Sequence, residues 1–195
     1  MKHLVFASLF FLLSTNTVFA YECFYAARLT AQNTQSEVIS QGDCVDSFED
    51  GILVLKENHF DNFDFSSGQP SYLFLVEDTV VRVFFVSKQR VLVETLSSDN
   101  GPDEFVEGLA RVKNHGKYGF VNTTLDVVIM PKYDFAYPFE NGHSIVCNGC
   151  EEKPDGEHRI LSGGRWGLIN REGEVIIPMT LSRSELQKII EENIR

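Results

Sequence analysis

The sequence predicts an all-β fold of repeated β-hairpin units in a repeat-type sheet assembly, with a short amphipathic helix at the C-terminus. Two observations lead to this prediction. A strand–turn–strand pattern recurs along the second half of the 195-residue chain, and helical periodicity is clearest in its last residues. The composition is that of a globular protein, with 43% hydrophobic and 23% charged residues.

The first 20 residues have the three-part pattern of a secretory signal peptide. A positive start at residues 1–3 is followed by an apolar run over residues 4–13 and by a segment that ends in the small residue Ala20. The apolar run is too short for a permanent bilayer anchor, which needs about 20 residues. We therefore predict cleavage after Ala20, a periplasmic or secreted location, and no membrane anchor after cleavage.

The chain is acidic, and the acidity is uneven. The formal charge of the whole sequence is −11, and residues 21–104 carry 15 acidic against 5 basic side chains. Nucleic acids and anionic membranes bind to positive surfaces, so this balance argues against both as partners. The same field favours a basic protein partner.

Two short patterns recur along the chain. A Phe-x-x-Gly turn precedes an alternating strand at Phe48, Phe105 and Phe139. A second pattern joins a basic residue, an aromatic residue, Gly, two apolar residues, Asn, a turn, an apolar strand and Pro. It covers residues 117–131 and 165–178, and a weaker copy lies at residues 84–93. These patterns predict an acidic, β-rich region with a degenerate repeat over residues 21–104, and clear repeats over residues 105–180.

The residue types of the repeat have physical explanations. Gly119 and Gly167 each follow a large aromatic residue, at a place where a side chain would block close strand packing. We expect Pro131 and Pro178 to end their strands, because proline removes a hydrogen-bond donor. The recurrence of an aromatic residue before the glycine places Trp166 in the core. An insertion at residues 147–164 precedes the second copy and is expected to be an exposed loop.

Residues 102–178 resemble a known family. The segment from Lys117 to Gly142 and the fuller copy Arg165-Trp166-Gly167 to Pro178 are similar to the WG-containing repeat of bacterial proteins. Tyr118 stands where the family usually has Trp. The resemblance implies a β-rich repeat fold, and it implies no shared catalytic activity and no transferable site residues.

The C-terminal segment 181–195 is expected to contain the helix. Ser182 and Glu185 have capping-box spacing, and apolar residues follow at helical intervals over Leu186–Ile194. We expect this helix to cover an exposed edge of the repeats. Docking to a partner is the alternative.

Four cysteines, an even number, are typical of disulfides in an exported protein. Short local loops favour the pairs Cys23–Cys44 and Cys147–Cys150 over the other connectivities. Three interpretations of Cys147 and Cys150 remain open: a structural disulfide across a turn, a zinc site with His143 and His158, or a redox-active pair. The compartment favours the structural disulfide.

The sequence contains none of the common catalytic motifs, such as G-x-S-x-G, the P-loop or H-E-x-x-H. We therefore expect no enzymatic activity and no cofactor. The function that fits best is an exported, non-catalytic binding module that contacts a protein through its β-repeat surface, with an immunity or inhibitor protein as one specific form. The alternative is a metal-binding protein or an enzyme with a site near His143, Cys147, Cys150 and His158.

Overall fold

A computed structural model gives the structure of the chain and describes residues 21–26, 38–40, 42–47, 52–77, 79–98, 101–156 and 158–193. The predicted signal peptide at residues 1–20 and the Phe48–Gly51 turn lie outside these residues. The strands are β1 (Glu22–Ala26), β2 (Val38–Ser40), β3 (Val45–Ser47), β4 (Leu53–Leu55), β5 (Ser71–Glu77), β6 (Val80–Val86), β7 (Leu92–Thr95), β8 (Ser97–Ser98), β9 (Gly101–Pro102), β10 (Leu109–Asn114), β11 (Lys117–Asn122), β12 (Val127–Tyr133), β13 (Phe135–Ala136), β14 (His143–Asp155), β15 (His158–Asn170) and β16 (Val175–Leu181). The helices are α1 (Glu57–Phe60) and α2 (Arg183–Asn193).

The strands form two main antiparallel sheets, which confirms the predicted all-β class. The first sheet has eight strands in the order β12-β11-β10-β7-β6-β5-β1-β2, and the second has four in the order β13-β14-β15-β16. The first sheet crosses the predicted boundary at residue 104, since β10 pairs with β7 through Val112 and Thr95. The acidic region and the first clear repeat therefore share one sheet.

Three successive three-stranded units make up most of the fold. We call them unit 1 (β5–β7), unit 2 (β10–β12) and unit 3 (β14–β16). In units 2 and 3 the last turn begins at Asn122 and Asn170, whose side-chain oxygens accept hydrogen bonds from backbone N–H groups two and four residues later. Ser87 starts the matching turn of unit 1, with its hydroxyl accepting from the N–H of Val91. One local geometry therefore recurs three times.

The glycines of units 2 and 3 allow a close approach between strands. A Cβ at Gly167 would lie 2.5 Å from the carbonyl oxygen of Ile177 and 2.9 Å from the backbone nitrogen of Met179. Gly119 meets the backbone of Ile129 and Pro131 in the same way. At both places the register shifts, because a single glycine faces a bulge in the edge strand.

The expectation that the two prolines end their strands is wrong. β12 continues past Pro131 to Tyr133, and β16 continues past Pro178 to Leu181. Each proline lies in an edge strand at the bulge opposite the glycine. An edge strand tolerates proline because only one of its sides takes part in the ladder.

The insertion at residues 147–164 is a hairpin extension instead of a loop. β14 and β15 are 13 residues each and remain paired from His143 and Asn170 to Asp155 and His158 at the tip. Residues 151–156 are all exposed. A strand with solvent on both faces lacks the apolar alternation that identifies a half-buried strand, which explains the wrong expectation.

Among the described residues, the core has three clusters. One, in the first half of the chain, contains Cys23 and Cys44, and a second joins units 2 and 3 around Phe120 and Phe139. The third contains Trp166, which is 1% exposed, as the sequence predicts for a core aromatic residue. Its indole N–H donates to the carbonyl oxygen of Gly163 at 3.0 Å, so the polar atom of the ring is satisfied.

Helix α2 confirms the predicted C-terminal helix. The Ser182 hydroxyl accepts from the backbone N–H of Glu185, and the Glu185 carboxylate accepts from the backbone N–H of Ser182. This is the reciprocal capping box that the sequence indicates. The hydrogen bonds from Ser182 hold the pKa of the Glu185 carboxyl below its usual value. Among the described residues, no helix has both the length and the apolarity needed to span a bilayer.

A groove at the end of the repeat stack

The described part of the chain has a groove between α2 and unit 3. It has a volume of about 980 Å³. Apolar and charged side chains both line it, which is the composition expected of a binding surface and not of a core void. The lining residues are Val106, Tyr137, Pro138, Phe139, Glu140, Asn141, His143, Ile145, Leu168, Arg183, Gln187, Ile190 and Glu191.

Helix α2 forms one wall because its apolar face packs on the sheet. Leu186 is 1% exposed and clusters with Trp166, while Ile190 and Ile177 pack against the same cluster. The helix therefore covers part of the last repeat, in agreement with the expected capping position. Ile190 also lines the groove, so the apolar face of α2 contacts both the sheet and the groove.

Arg183, in the first turn of α2, is fixed against aromatic rings. Its guanidinium carbon lies 5.4 Å from the ring centre of Tyr137 and 5.5 Å from that of Trp166. One of its nitrogens donates to the Tyr137 hydroxyl at 2.5 Å. Cation–π contact and a charge-assisted hydrogen bond together attach the helix N-terminus to the groove wall.

The opposite wall is a tight turn of the Phe-x-x-Gly pattern. Asn141 and Gly142 have φ angles of 52° and 78°, and a bridge between Glu140 and His143 closes the turn. Two consecutive residues with positive φ favour Asn-Gly, which is what the sequence has here. The side-chain Nδ1 of His143 is buried and has no hydrogen-bond partner among the described residues.

Units 2 and 3 show how one repeat docks on the next. The backbone N–H of Gly142 donates to the Glu107 carboxylate at 3.0 Å, and an Arg171 guanidinium nitrogen donates to the Glu107 carbonyl oxygen at 2.7 Å. Gly173 lies against Ile129, since a Cβ there would be 3.1 Å from that side chain. The turns of unit 3 therefore cover the Glu107–Gly108 turn of unit 2.

A buried ion pair also ties unit 2 to β13 of the second sheet. Arg111 donates to both oxygens of the Asp103 carboxylate, at 2.6 Å and 3.0 Å, and its backbone N–H donates at 2.8 Å. The same guanidinium donates to the carbonyl oxygen of Ala136 in β13 at 3.2 Å. The side chains of Asp103 and Arg111 are 4% and 14% exposed, so three bonds to the carboxylate compensate for its loss of water.

The cysteines lie in the two predicted pairs at disulfide distance. The Cα atoms are 6.0 Å apart for Cys23 and Cys44, and 6.2 Å apart for Cys147 and Cys150. Both values lie within the usual range for a disulfide. The Cys147–Cys150 pair belongs to the buried cluster that contains Trp166 and Leu186 of α2.

Asp134 holds the turn between Cys147 and Cys150. Its carboxylate accepts from the Lys117 ammonium and from the backbone N–H of Gly149, the latter at 2.6 Å. These two bonds, with that from Lys117 the larger influence, keep the pKa of the Asp134 carboxyl below its usual value. The turn is therefore supported by an ion pair from unit 2.

The four residues of the metal alternative are not brought together. His143 pairs with Asn170 at the base of the hairpin, whereas His158 pairs with Asp155 at its tip. Twelve residues of strand separate those ends, which is roughly 40 Å of extended chain. Within the described ranges, no group of three or more His, Cys, Asp or Glu residues could hold a metal ion.

A buried polar cluster also lies in the first half of the chain. The Tyr25 hydroxyl is 3.0 Å from Nδ1 of His59 and accepts from the Asn62 side chain at 3.1 Å. Because that hydroxyl accepts from Asn62, its own proton is available to a neutral Nδ1. Burial lowers the pKa of His59 and raises that of Tyr25, so both groups stay uncharged near neutral pH. This cluster stabilises the fold and does not face the groove.

Comparison with known families agrees with the repeat geometry. The family model of the WG containing repeat matches residues 103–118, 118–149 and 166–182. The WG-containing repeats of this chain therefore lie within residues 103–182. The WG repeats end with β16, directly before α2. No curated protein and no solved structure matches the chain.

Sequence patterns located the WG repeats and the helix but not the groove. Asn141 was recognisable as a turn residue and Trp166 as a core residue, and neither pattern indicates a ligand. The groove depends on where α2 crosses unit 3, which is a tertiary property. The one available signal was positional, since the last repeat of a stack has no following repeat to cover it.

Proposed function

We propose that this WG-repeat protein is an exported, non-catalytic binding module that contacts another protein through the groove at the end of its repeat stack. The observation that carries the proposal is the groove itself. It combines apolar residues such as Leu168 and Ile190 with charged residues such as Glu140 and Glu191, at the place where the repeat surface is only partly covered by α2. Protein-binding surfaces combine an apolar centre with polar surroundings in this way.

The charge of the chain supports a basic partner. Residues 21–104 have ten more acidic than basic side chains, from 15 acidic and 5 basic. Such a field attracts cationic proteins and repels nucleic acids. An immunity or inhibitor protein that sequesters a cationic toxin or a cell-envelope enzyme is one form of this function.

Export is supported by two features. Residues 1–20 have the composition of a signal peptide. The two cysteine pairs at disulfide distance are compatible with an oxidising extracellular compartment. Fractionation of cells that produce the full chain, with N-terminal sequencing of the product, tests this part. We expect the mature chain to begin at Tyr21 in the periplasm or the medium, and a full-length cytoplasmic product would contradict it.

Site-specific photo-crosslinking tests protein binding at the groove. A photo-reactive residue replaces Gln187, an exposed residue of the groove wall, in the full chain produced in its native host. The matched control replaces Ser66, an exposed loop residue in the first half of the chain. We expect an adduct with one protein from position 187, identified by mass spectrometry and reproduced with the two purified proteins. Equal adducts from both positions, or none from either, would contradict the proposal.

A further inference from the structure

The contact between units 2 and 3 shows what kind of group fits the open end of the stack. At the Glu107–Gly108 turn the incoming group is a cation, because Arg171 donates to the Glu107 carbonyl oxygen at 2.7 Å. Arg171 is presented by a hairpin turn whose Gly173 packs on Ile129. A basic side chain on a tight turn is therefore the natural occupant of this position within the chain itself.

Unit 3 presents the same turn again, one repeat further on. The φ angles of Asn141 and Gly142, 52° and 78°, match those of Glu107 and Gly108, 52° and 80°. The two positions differ in what covers them. A Cβ at Gly108 would lie 3.9 Å from Arg171, whereas among the described residues nothing lies within 4 Å of the same point at Gly142. Asn141 borders the groove.

Helix α2 covers only part of the surface that a following repeat would cover. In unit 2, Ile129 is 3% exposed beneath Gly173 of unit 3. Its counterpart in unit 3 is Ile177, which packs against the cluster that contains Leu186 and Ile190 of α2. The helix thus replaces a following repeat beside Ile177 and leaves the Asn141–Gly142 side as the groove.

The charges around the open Asn141–Gly142 turn suit a cation better than the charges around the Glu107–Gly108 turn, to which Arg171 binds. Glu140 stands where unit 2 has Val106, and Glu191 lines the facing wall on α2. Glu191 accepts a hydrogen bond from Gln187, a neutral donor, at 3.3 Å. The arginine in the groove, Arg183, is already held by Tyr137. Two carboxylates therefore flank the vacant turn.

We propose that the groove binds an arginine-bearing hairpin turn of a basic partner protein, which docks on the Asn141–Gly142 turn as Arg171 docks on Glu107–Gly108. The guanidinium donates to the Asn141 carbonyl oxygen and lies between Glu140 and Glu191. The apolar residues that flank the turn pack towards Leu168. This inference rests on the proposed protein-binding function and specifies the partner's contacting element.

The probe is a cyclised hairpin peptide with the sequence of residues 168–177, which contains the Arg171 turn. Its binding to the full chain is measured by fluorescence polarisation at low ionic strength. We expect the peptide with Arg171→Ala to bind about tenfold more weakly, because a charge-assisted hydrogen bond is lost. In the protein, Glu140→Gln and Glu191→Gln should each weaken binding about three- to fivefold.

Glu151→Gln in the protein is the matched control. It makes the same charge change on the exposed arm of β14, eight residues from the base of the hairpin. Equal binding by the two peptides, no binding by either, or an equal loss with Glu151→Gln would overturn the proposed occupant. If position 187 crosslinks to a protein that the peptide does not displace, the groove binds protein through another element, and only this inference fails. If position 187 gives no adduct, the proposed function fails as well.

Discussion

Replacing Gly167 with alanine tests whether the glycine of the WG pair exists to admit the backbone of the neighbouring strand. The new methyl group would lie 2.5 Å from the carbonyl oxygen of Ile177 and 2.9 Å from the backbone nitrogen of Met179. Ordinary carbon contacts begin near 3.4 Å, so the edge strand must move by several tenths of an ångström. Backbone atoms of a paired strand cannot rotate away as a side-chain end can.

The expected magnitude follows from two opposing terms. Overpacking of a well-packed site costs about 1–3 kcal/mol, and displacement of the paired strand puts this case at the upper end. The smaller unfolded-state entropy of alanine returns about 0.4–1 kcal/mol. We expect a net loss of about 2 kcal/mol in the free energy of unfolding, which is a fall in melting temperature of roughly 4–8 °C for a chain of this size.

The assay is thermal and urea unfolding followed by the fluorescence of Trp166, the only tryptophan of the chain. Gly119→Ala should behave like Gly167→Ala, since its new methyl group would meet the backbone of Ile129 and Pro131. Gly116→Ala is the control, because Gly116 has positive φ and open space around it, and it should lose about 1 kcal/mol through backbone strain alone. A Gly167→Ala variant as stable as Gly116→Ala would refute the close-approach explanation.

Three further changes test other parts of the structure. Leu125 has a φ of 65° and occupies the turn position that Gly173 has in unit 3. Leu125→Gly should therefore raise the free energy of unfolding by about 0.5–1 kcal/mol in urea titration, because glycine adopts this φ without strain. A destabilised variant would contradict the strain argument. Asp103→Ala leaves the buried Arg111 without its carboxylate and should lower the free energy of unfolding by about 3–5 kcal/mol in the same titration. A loss below about 1 kcal/mol is typical of exposed pairs and would show that this pair is not buried. Burial lowers the pKa of His59 from 6.5, so the contribution of His59 to stability should be constant above that pH and fall as the pH drops below it, because the unfolded chain takes up the proton first. His59→Asn should flatten this dependence, and an unchanged profile would assign it to another group.

The parts of the fold that the sequence predicted are those set by local chemistry. A capping box such as Ser182 with Glu185 requires only three residues of spacing, and the helix appears where it indicates. The Asn122 and Asn170 turns are equally local, since each asparagine side chain accepts from the backbone N–H groups two and four residues later. Such patterns can be recognised without knowledge of the tertiary fold.

The parts that the sequence did not predict depend on neighbours in space. Pro131 looks like a strand terminator until it is seen on an edge strand, opposite Gly119. The extension of β14 and β15 has solvent-exposed residues where apolar alternation would be expected. The groove requires both the end of the repeat stack and the crossing of α2, and neither is encoded in one short segment.

Unit 1 shares its turn with units 2 and 3 but lacks the glycine and the proline of the WG repeats. Arg90 has φ of 68° at the position of Leu125 and Gly173, so the backbone of the turn is retained. Phe84, however, occupies the position that Gly119 and Gly167 have in units 2 and 3. In units 2 and 3 that glycine faces a bulge, whereas β6 and β7 pair in regular register from Val83 with Thr95 onward.

A strand pair in regular register, such as β6 and β7, requires neither the glycine nor the proline of units 2 and 3. Without a bulge, no neighbouring backbone approaches the glycine position, and Phe84 can use its ring to fill the core of the first half, where it is 3% exposed. The following strand, β7, also has no bulge at which a proline would lie. Gly and Pro are therefore one coupled feature of the bulged repeat, and the turn with its positive-φ fourth residue is the feature that all three units share. A search for further repeats in related chains should follow the turn and treat the Gly–Pro pair as evidence of the bulge alone.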